Sequence, residues 1–148
     1  MKTNIFKPAL LILAISVLVM SFVSSCASRT HFLTSEVVPA AQGTVQVKSD
    51  ANNNYVISIV LSNLSPSTRL TPPKACYVVW LVDQNNSYRN LGQLNSSEDF
   101  MSNSLSAKFE TLSSSKPSKI VITAEDEPGV MYQSVSAIIL TTDYLTVK

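Results

Sequence analysis

The stretch CYVVWLV, residues 76–82, is apolar at every position and decides the fold. Successive side chains of a β-strand point to opposite faces of the sheet, so a strand that is apolar on both faces must be covered on both. The pattern predicts a central strand over residues 75–83. We expect the face that carries Trp80, together with Cys76, Val78 and Val82, to enter the core.

The opposite face of this strand carries Tyr77, Val79 and Leu81. A loop, or the C-terminal run 144–147, is one possible cover for these three side chains. Left uncovered, they form an exposed apolar patch, and such patches usually mark binding surfaces. The sequence therefore leaves two alternatives open: coverage by the chain itself, or a binding surface made of these three residues.

The runs around this stretch alternate between apolar and polar residues with period two, which is typical of antiparallel sheets packed on one side. The polar segment 83–87 predicts a hairpin loop, in which Asn replaces the scarce glycines at positive φ. We predict an all-β protein, an antiparallel, immunoglobulin-like β-sandwich of about seven strands over residues 44–148. The alternating runs are 54–62, 104–110, 118–124 and 134–141, and residues 92–103 are expected to hold one helical turn around Glu98-Asp99-Phe100.

The composition excludes several classes of site. One His and two Cys cannot supply the usual zinc ligands, and they form no CxxC or haem-attachment motif. Three Gly provide no glycine-rich phosphate loop. Without Lys2 and Lys7, which lie in a targeting segment, nine basic side chains remain against ten acidic ones. This balance argues against nucleic acid as a partner, and we expect no metal or cofactor.

The N-terminus has the pattern of an export signal. Lys2 and Lys7 precede the apolar run 9–23, which Ser16 and Ser21 alone interrupt. A helix over this run spans about 22 Å, less than the roughly 30 Å hydrocarbon core of a bilayer, so a transmembrane helix is the less favoured alternative. We predict a signal peptide with an N-terminal signal helix over residues 1–25.

The apolar run ends in Val23-Ser24-Ser25-Cys26, which resembles the lipobox of bacterial lipoproteins. In that family the Cys thiol receives a diacylglyceryl group, the signal is cut before the Cys, and the new amine often receives a further acyl chain such as palmitate. The resemblance implies that Cys26 is lipidated and that Val23, Ser24 and Ser25 are recognised during processing. Several acyl chains hold a protein durably, because each buried methylene contributes about 0.8 kcal/mol. An ordinary signal peptide with a chance Cys and an uncleaved anchor are the alternatives.

The residues after Cys26 bear on location. Ala27 and Ser28 follow it without an adjacent Asp, which resembles the pattern sorted to the outer membrane in enterobacteria. We expect a lipid-anchored protein of the bacterial cell envelope that faces the periplasm, at the outer rather than the inner membrane. Residues 26–43 lack periodicity and predict a flexible tether after the lipidated Cys, in which His31 is solvated.

A second resemblance covers roughly residues 44–141. The strand 76–82, the hairpin and Asn90-Leu91-Gly92 look like the extracytoplasmic domain of the anti-sigma-K factor family, which has a Tyr-x-x-Trp strand, a short turn and a Leu-Gly pair. Phe109, the run 120–123 and Glu127-Pro128-Gly129 follow in matching order. In that family a sigma-binding module and a transmembrane helix precede the domain, whereas a few residues precede the apolar segment here. The resemblance implies the sandwich and not inhibition of a sigma factor.

The sequence offers few groups for catalysis, so we expect no enzyme. His31 is its single imidazole, and the acidic groups Glu98-Asp99 and Glu125-Asp126-Glu127 fall in predicted loops, where solvated side chains are expected. The second acidic group also offers oxygen ligands for Ca²⁺, without the spacing of an EF-hand. Cys76 is the thiol that remains if Cys26 carries lipid, and it is expected to be buried and inert.

Three functions compete at this point. The first is a membrane-anchored lipoprotein whose sandwich is a non-enzymatic binding or scaffolding module for a partner in the envelope. The second is an envelope sensor or regulatory domain related to anti-sigma factors, which rests on analogy of fold. The third is a small envelope enzyme that uses Asp99, Glu125 or Asp126, and it requires a pocket that joins two of these carboxylates.

Overall fold

The computed structural model describes residues 28–94, 96–98 and 105–147. Within these ranges the chain forms nine β-strands and two short 3-10 turns. The strands are β1 Arg29–His31, β2 Gln42–Ser49, β3 Tyr55–Ser62, β4 Cys76–Val82, β5 Tyr88–Leu94, β6 Ser96–Glu98, β7 Leu105–Ser113, β8 Lys119–Glu125 and β9 Ile138–Thr141, and the 3-10 turns are Ser67–Arg69 and Val135–Ala137.

The strands form two antiparallel sheets, of order β1-β2-β3-β7-β6 and β5-β4-β8-β9. Apart from β1 at its edge, the first sheet follows the order A, B, E, D of an immunoglobulin domain, and the second follows C′, C, F, G. The predicted all-β, immunoglobulin-like sandwich is confirmed. It has more strands than expected because β1 and β6 have three residues each, too few to show a period.

The main core lies between the two sheets. Ile57, Ile59 and Leu61 of β3 alternate into it, as the period-two pattern predicts, and Ile120 and Ile122 enter it from β8. All five side chains are at most 1% exposed. Burial of an aliphatic side chain of this size contributes about 1.5–3 kcal/mol, so this layer holds the two sheets together.

The two faces of β4 are the reverse of the prediction. Tyr77, Val79 and Leu81 point into the main core, whereas Trp80 lies in a second apolar cluster on the outer face of the second sheet. This cluster is made of Cys76, Val78, Trp80, Val82 and Val121, with Val130 and Ile138 packed against it. Because both faces of β4 are apolar, no polar side chain in the strand marks which face looks inward.

The run 134–141 is a strand only in its second half. Residues 135–137 form a 3-10 turn, closed by a bond from the Ala137 N–H to the Ser134 carbonyl oxygen, and Val135 is exposed rather than inward. β9 begins at Ile138, where pairing with Thr123 of β8 starts. The residues before it cross the outer face of the second sheet, which explains why the alternation does not hold there.

The predicted flexible tether is wrong from Arg29 onward. β1 pairs with β2 in the register Arg29↔Gln46, and Phe32 then bridges Thr142 beyond β9. Val38 and Ala41 are buried in the main core. Among the described residues, the segment from Arg29 onward is therefore part of the folded body, because it pairs with both sheets.

The remaining segment predictions have mixed outcomes. In place of a helical turn around Glu98, residues Ser96–Glu98 form a strand paired with β7. Asp99 and Phe100 lie outside the described residues, as do the predicted signal peptide 1–25 and Cys26. Across the described parts of the chain, no helix is both long and apolar enough to span a bilayer.

Candidate interaction surface

The binding surface predicted from the sequence is wrong. Tyr77, Val79 and Leu81 are buried in the main core, so no partner reaches them. The Tyr77 hydroxyl donates a hydrogen bond to the Ser65 carbonyl oxygen at 2.7 Å, and burial raises the pKa of this tyrosine to about 12. The chain itself covers this face, which was the other alternative.

Three of the most exposed apolar side chains lie on the segment that joins β8 to β9, residues 126–137, here called the β8–β9 loop. Met131, Tyr132 and Val135 are 81%, 85% and 73% exposed. Single exposed apolar residues are ordinary, whereas three large ones within five positions are typical of an interaction site. The loop therefore replaces the buried face of β4 as the candidate interaction surface.

Hydrogen bonds fix the β8–β9 loop on both sides of its exposed residues. The Asn90 side-chain amide donates to the carbonyl oxygens of Pro128 and Val130, at 3.0 and 2.9 Å. On the other side, Ser134 donates to the Glu125 carboxylate from its backbone N–H at 3.0 Å and from its hydroxyl at 2.8 Å. Met131 and Tyr132 lie between these anchors.

Glu125 is the buried carboxylate that holds the loop. It is 3% exposed, and besides Ser134 it accepts a bond from the Thr123 hydroxyl at 2.7 Å. Thr123 in turn accepts a bond from the indole N–H of Trp80 at 2.8 Å. The expectation of a solvated Glu125 is wrong, because this residue is the last of β8 and the loop folds back over it. A buried carboxylate is tolerated when donors satisfy its oxygens.

The same loop contains an unpaired polar atom. The side-chain oxygen of Gln133 is buried and has no hydrogen-bond partner among the described residues. A buried acceptor without a donor is unfavourable, since it has lost its water without a replacement. Hydrogen bonds to Asn90 and Glu125 therefore anchor the β8–β9 loop on both sides, while one buried hydrogen-bond acceptor between these anchors has no donor among the described residues.

A cavity of about 300 Å³ lies next to the Glu125 anchor. Most of the residues that line it are apolar, and Lys74, Ser134 and Ser136 are among the polar ones. Lys74 is paired with Asp126 at 2.8 Å. The volume is at the lower end of the range for small-molecule sites, and the cation is already neutralised, so the cavity by itself does not define a ligand.

The described carboxylates are not arranged for catalysis. Glu125 is bonded to Thr123 and Ser134, whereas Asp126 is 75% exposed and paired with Lys74, so the two do not share a pocket. The Glu98 side chain and Asp99 lie outside the described part of the chain. Within residues 28–94, 96–98 and 105–147, no cluster of three His, Cys, Asp or Glu side chains is placed to hold a metal ion.

Cys76 is a buried free thiol, as predicted. Its Sγ lies 3.6 Å from the Glu125 carbonyl oxygen. Burial raises the pKa of this thiol, and the negative charges of Glu125 and Asp126 raise it further. Since the thiolate is the reactive form, Cys76 is a packing residue rather than a nucleophile.

The predicted lipidation site Cys26 and the predicted recognition residues Val23, Ser24 and Ser25 lie outside the described residues. His31 lies in β1 and is exposed to solvent, as expected. The residues that sequence reasoning missed are Met131 and Tyr132. Their signal was an apolar run, Val130-Met131-Tyr132, directly after the Pro128-Gly129 turn and outside any alternating run.

The fold and this surface define a class: an antiparallel β-sandwich of immunoglobulin-like strand order that presents an apolar, hydrogen-bond-anchored loop. No family model, curated protein or solved structure matches the chain.

Proposed function

We propose that the protein is a lipid-anchored component of the bacterial cell envelope whose sandwich is a non-enzymatic binding module. Acyl chains on Cys26 hold it at the membrane, at the periplasmic side of the outer membrane. The β8–β9 loop binds a protein partner there. The lipobox pattern at Val23-Ser24-Ser25-Cys26 supports the anchor, and the exposed apolar loop supports the binding role.

The exposure of Met131, Tyr132 and Val135 carries the binding proposal. Aromatic and Met side chains are enriched at protein interfaces, and Tyr is a frequent hot-spot residue. The bonds of Asn90 and Glu125 keep the loop ordered before a partner arrives, which reduces the conformational entropy lost on binding.

Two observations support a role without catalysis. Glu125 and Asp126 have separate partners, so they do not form the acid–base pair that the enzyme hypothesis requires. Cys76 is buried with a raised pKa, which leaves it protonated at neutral pH. The envelope-sensor hypothesis stays a prediction of the sequence, and it expects envelope-stress transcripts to change when the gene is deleted.

Site-specific photo-crosslinking in intact cells tests the binding proposal. A benzophenone amino acid is placed at Tyr132 and, as the matched control, at Leu112, an exposed apolar residue on the outer face of the other sheet. We expect one reproducible cross-linked protein from position 132 and none from position 112. Absence of any product from position 132, or identical products from both positions, overturns the proposal.

A second variant separates binding from chance proximity. The double substitution Met131→Ser and Val135→Ser removes the apolar surface beside the probe and leaves both loop anchors in place. We expect the cross-link from position 132 to fall severalfold in this background. Full retention of the product would show that the apolar side chains do not contribute to binding.

A further inference from the structure

We infer that the sandwich lies directly on the membrane that anchors it and contacts phospholipid headgroups through one corner. This anchor corner consists of Arg29, Lys48, Lys119 and Tyr144. The inference rests on the proposed lipidation of Cys26, and it adds the orientation of the domain and its lipid contact.

The length of chain between lipid and fold is the first argument. Three Cα–Cα steps separate Cys26 from Arg29, where β1 begins, so the first strand starts within about 11 Å of the lipidated residue. A flexible tether through residue 43 has instead an average span of about 23 Å. Because β1 belongs to the first sheet, the acyl chains on Cys26 hold the sandwich close to the bilayer, without a tether of about 23 Å between lipid and fold.

The topology decides which part of the sandwich is nearest. The Phe32↔Thr142 bridge is antiparallel, so the residues before Phe32 and those after Thr142 run toward the same end of the molecule. The Leu145 N–H donates to the Ser118 carbonyl oxygen at 2.8 Å, which keeps the C-terminal segment beside the start of β8. Arg29, Lys119 and Tyr144 are therefore at one end of the β1–β9 side.

Lys48 is included in the anchor corner because it lies at the same end, on the outer face of the first sheet, while Lys119 lies on the outer face of the second. It lies on β2, next to β1, two residues after Gln46, which pairs with Arg29. Because the two strands are antiparallel, Lys48 lies toward the end at which the chain enters β1. Arg29 and Gln46 share a face as cross-strand partners, and Lys48 follows on that face at i+2. Both Arg29 and Lys48 are exposed.

The chemistry of the anchor corner fits a headgroup layer. Lys119 Nζ lies 4.2 Å from the centroid of the Tyr144 ring, and Tyr144 is 70% exposed. Tyrosine and long basic side chains are suited to the membrane interface, since they combine an apolar body with a polar end. Three basic groups at the corner attract anionic headgroups, and the acids on the same segments are Asp50, which is bonded within its own turn, and exposed Asp143.

The opposite end of the sandwich lacks this basic character. Glu125, Asp126 and Glu127 follow one another where β8 ends, and Lys74 is paired with Asp126 there. Glu125 is buried and Asp126 is paired, so exposed Glu127 is balanced by exposed Arg69 at this end, which lacks the excess of basic groups found at the anchor corner. Charge and chain length thus favour the same orientation, which leaves the β8–β9 loop free for a protein partner.

Lysine footprinting on vesicles tests the orientation. The chain from Cys26 to Lys148, which contains every described residue, is coupled through Cys26 to a maleimide lipid in vesicles of phosphatidylcholine and phosphatidylglycerol. The buried Cys76 does not compete, and the Cys76→Ala variant confirms the coupling site. Acetylation of each lysine is then compared by mass spectrometry with that of the uncoupled chain.

We expect severalfold loss of acetylation at Lys48 and Lys119 on coupling, and no change at Lys108. Lys108 is an exposed reference on β7, three strands and about 14 Å from β1 in the same sheet. A Gly/Ser linker inserted between Ser28 and Arg29 should restore acetylation at both positions. Uniform protection, preferential protection of Lys108, or protection that survives the linker overturns the inference.

A matched pair of arginine variants tests the charge argument. Arg29→Glu should reduce the protection of Lys48 and Lys119, whereas Arg69→Glu, an exposed arginine in the 3-10 turn before β4, should leave it unchanged. Equal effects of the two variants contradict a lipid contact at the anchor corner. The synthetic anchor bypasses cellular processing. A negative footprinting result therefore contradicts the orientation without contradicting lipidation, and a lack of lipid in cells contradicts lipidation without changing the footprint.

Discussion

Individual side chains decide how the β8–β9 loop is held. The carboxylate of Glu125 is buried without a cation, and three donors from Thr123 and Ser134 take the place of water. Sequence reasoning placed this residue in a solvated loop because its neighbours Asp126 and Glu127 are charged and a Pro-Gly turn follows. Its burial depends on the loop folding back over the sheet, which no local pattern encodes.

Removal of this carboxylate should destabilise the fold. Glu125→Ala leaves the Ser134 N–H and the Thr123 hydroxyl without their acceptor, and we expect a loss of about 2–3 kcal/mol in the free energy of unfolding. Urea unfolding followed by the fluorescence of Trp80, the single tryptophan, measures it. Exposed Glu127→Ala is the control, with an expected change within about 0.5 kcal/mol. Equal stabilities of the two variants would contradict the role of Glu125.

Gly43 is a second position where one residue type is required. A Cβ at this site would meet the Leu61 side chain and the Val60 carbonyl oxygen on the neighbouring strand β3. Gly43→Ala must therefore separate β2 from β3 locally, and we expect it to cost about 1–3 kcal/mol. Gly129→Ala is the matched control, since a Cβ there has no atom within 4 Å. A thermal unfolding midpoint that falls equally in both variants would be inconsistent with this packing.

At the scale of elements, two hairpin loops use the same device. Asp50 and Asp83 each accept bonds at Oδ1 from the backbone N–H groups two and four residues later, which are those of Asn52 and Asn54 and those of Asn85 and Ser87. The third residue after each Asp, Asn53 or Asn86, has a positive φ near 60°. Asparagine thus takes the place of glycine in both turns, as the sequence predicts for the loop 83–87.

The first of these turns should make stability depend on pH. The hydrogen bond from the Asn54 N–H, with further bonds from the Asn54 side chain and the Asn52 N–H, lowers the pKa of Asp50 below its ordinary value of 3.8. A lowered pKa means that the stabilisation is fully present above the ordinary value and is lost as the pH falls through the folded value. We expect the difference in unfolding free energy between the native chain and Asp50→Asn to shrink from pH 5 to pH 2. A constant difference over this range would contradict the charged turn.

The elements also show what a single sequence can and cannot reveal. The alternation of Ile57, Ile59 and Leu61 predicted the inward face of β3 correctly, because Ser58 and Ser62 mark its outer side. β4 has no polar side chain to mark its outer face, so the prediction of its inward face is wrong. Tyr77, Val79 and Leu81, which were predicted as a possible surface, lie in the main core. Arg29–His31 is a strand because it pairs with β2, and the next residue, Phe32, bridges distant Thr142. No local pattern shows these pairings, so the sequence alone predicted a tether here.

At the scale of the molecule, the two ends and two outer faces of the sandwich have different properties. The anchor corner of Arg29, Lys48, Lys119 and Tyr144 is basic and aromatic, and the end where β8 meets the loop has no such excess of basic groups. The apolar loop with Met131 and Tyr132 lies over the outer face of the second sheet. This distribution is what a module needs when one side faces lipid and another faces a protein.

The proposed role at the envelope depends on lipidation of Cys26. The intact mass of the protein purified from membranes tests this lipidation most directly. We expect a chain that begins at Cys26 and carries a diacylglyceryl group and a further acyl chain, and we expect Cys26→Ala to accumulate with residues 1–25 uncleaved and without lipid. A native chain that is recovered from the soluble fraction at its full translated mass, free of acyl chains, would contradict the account.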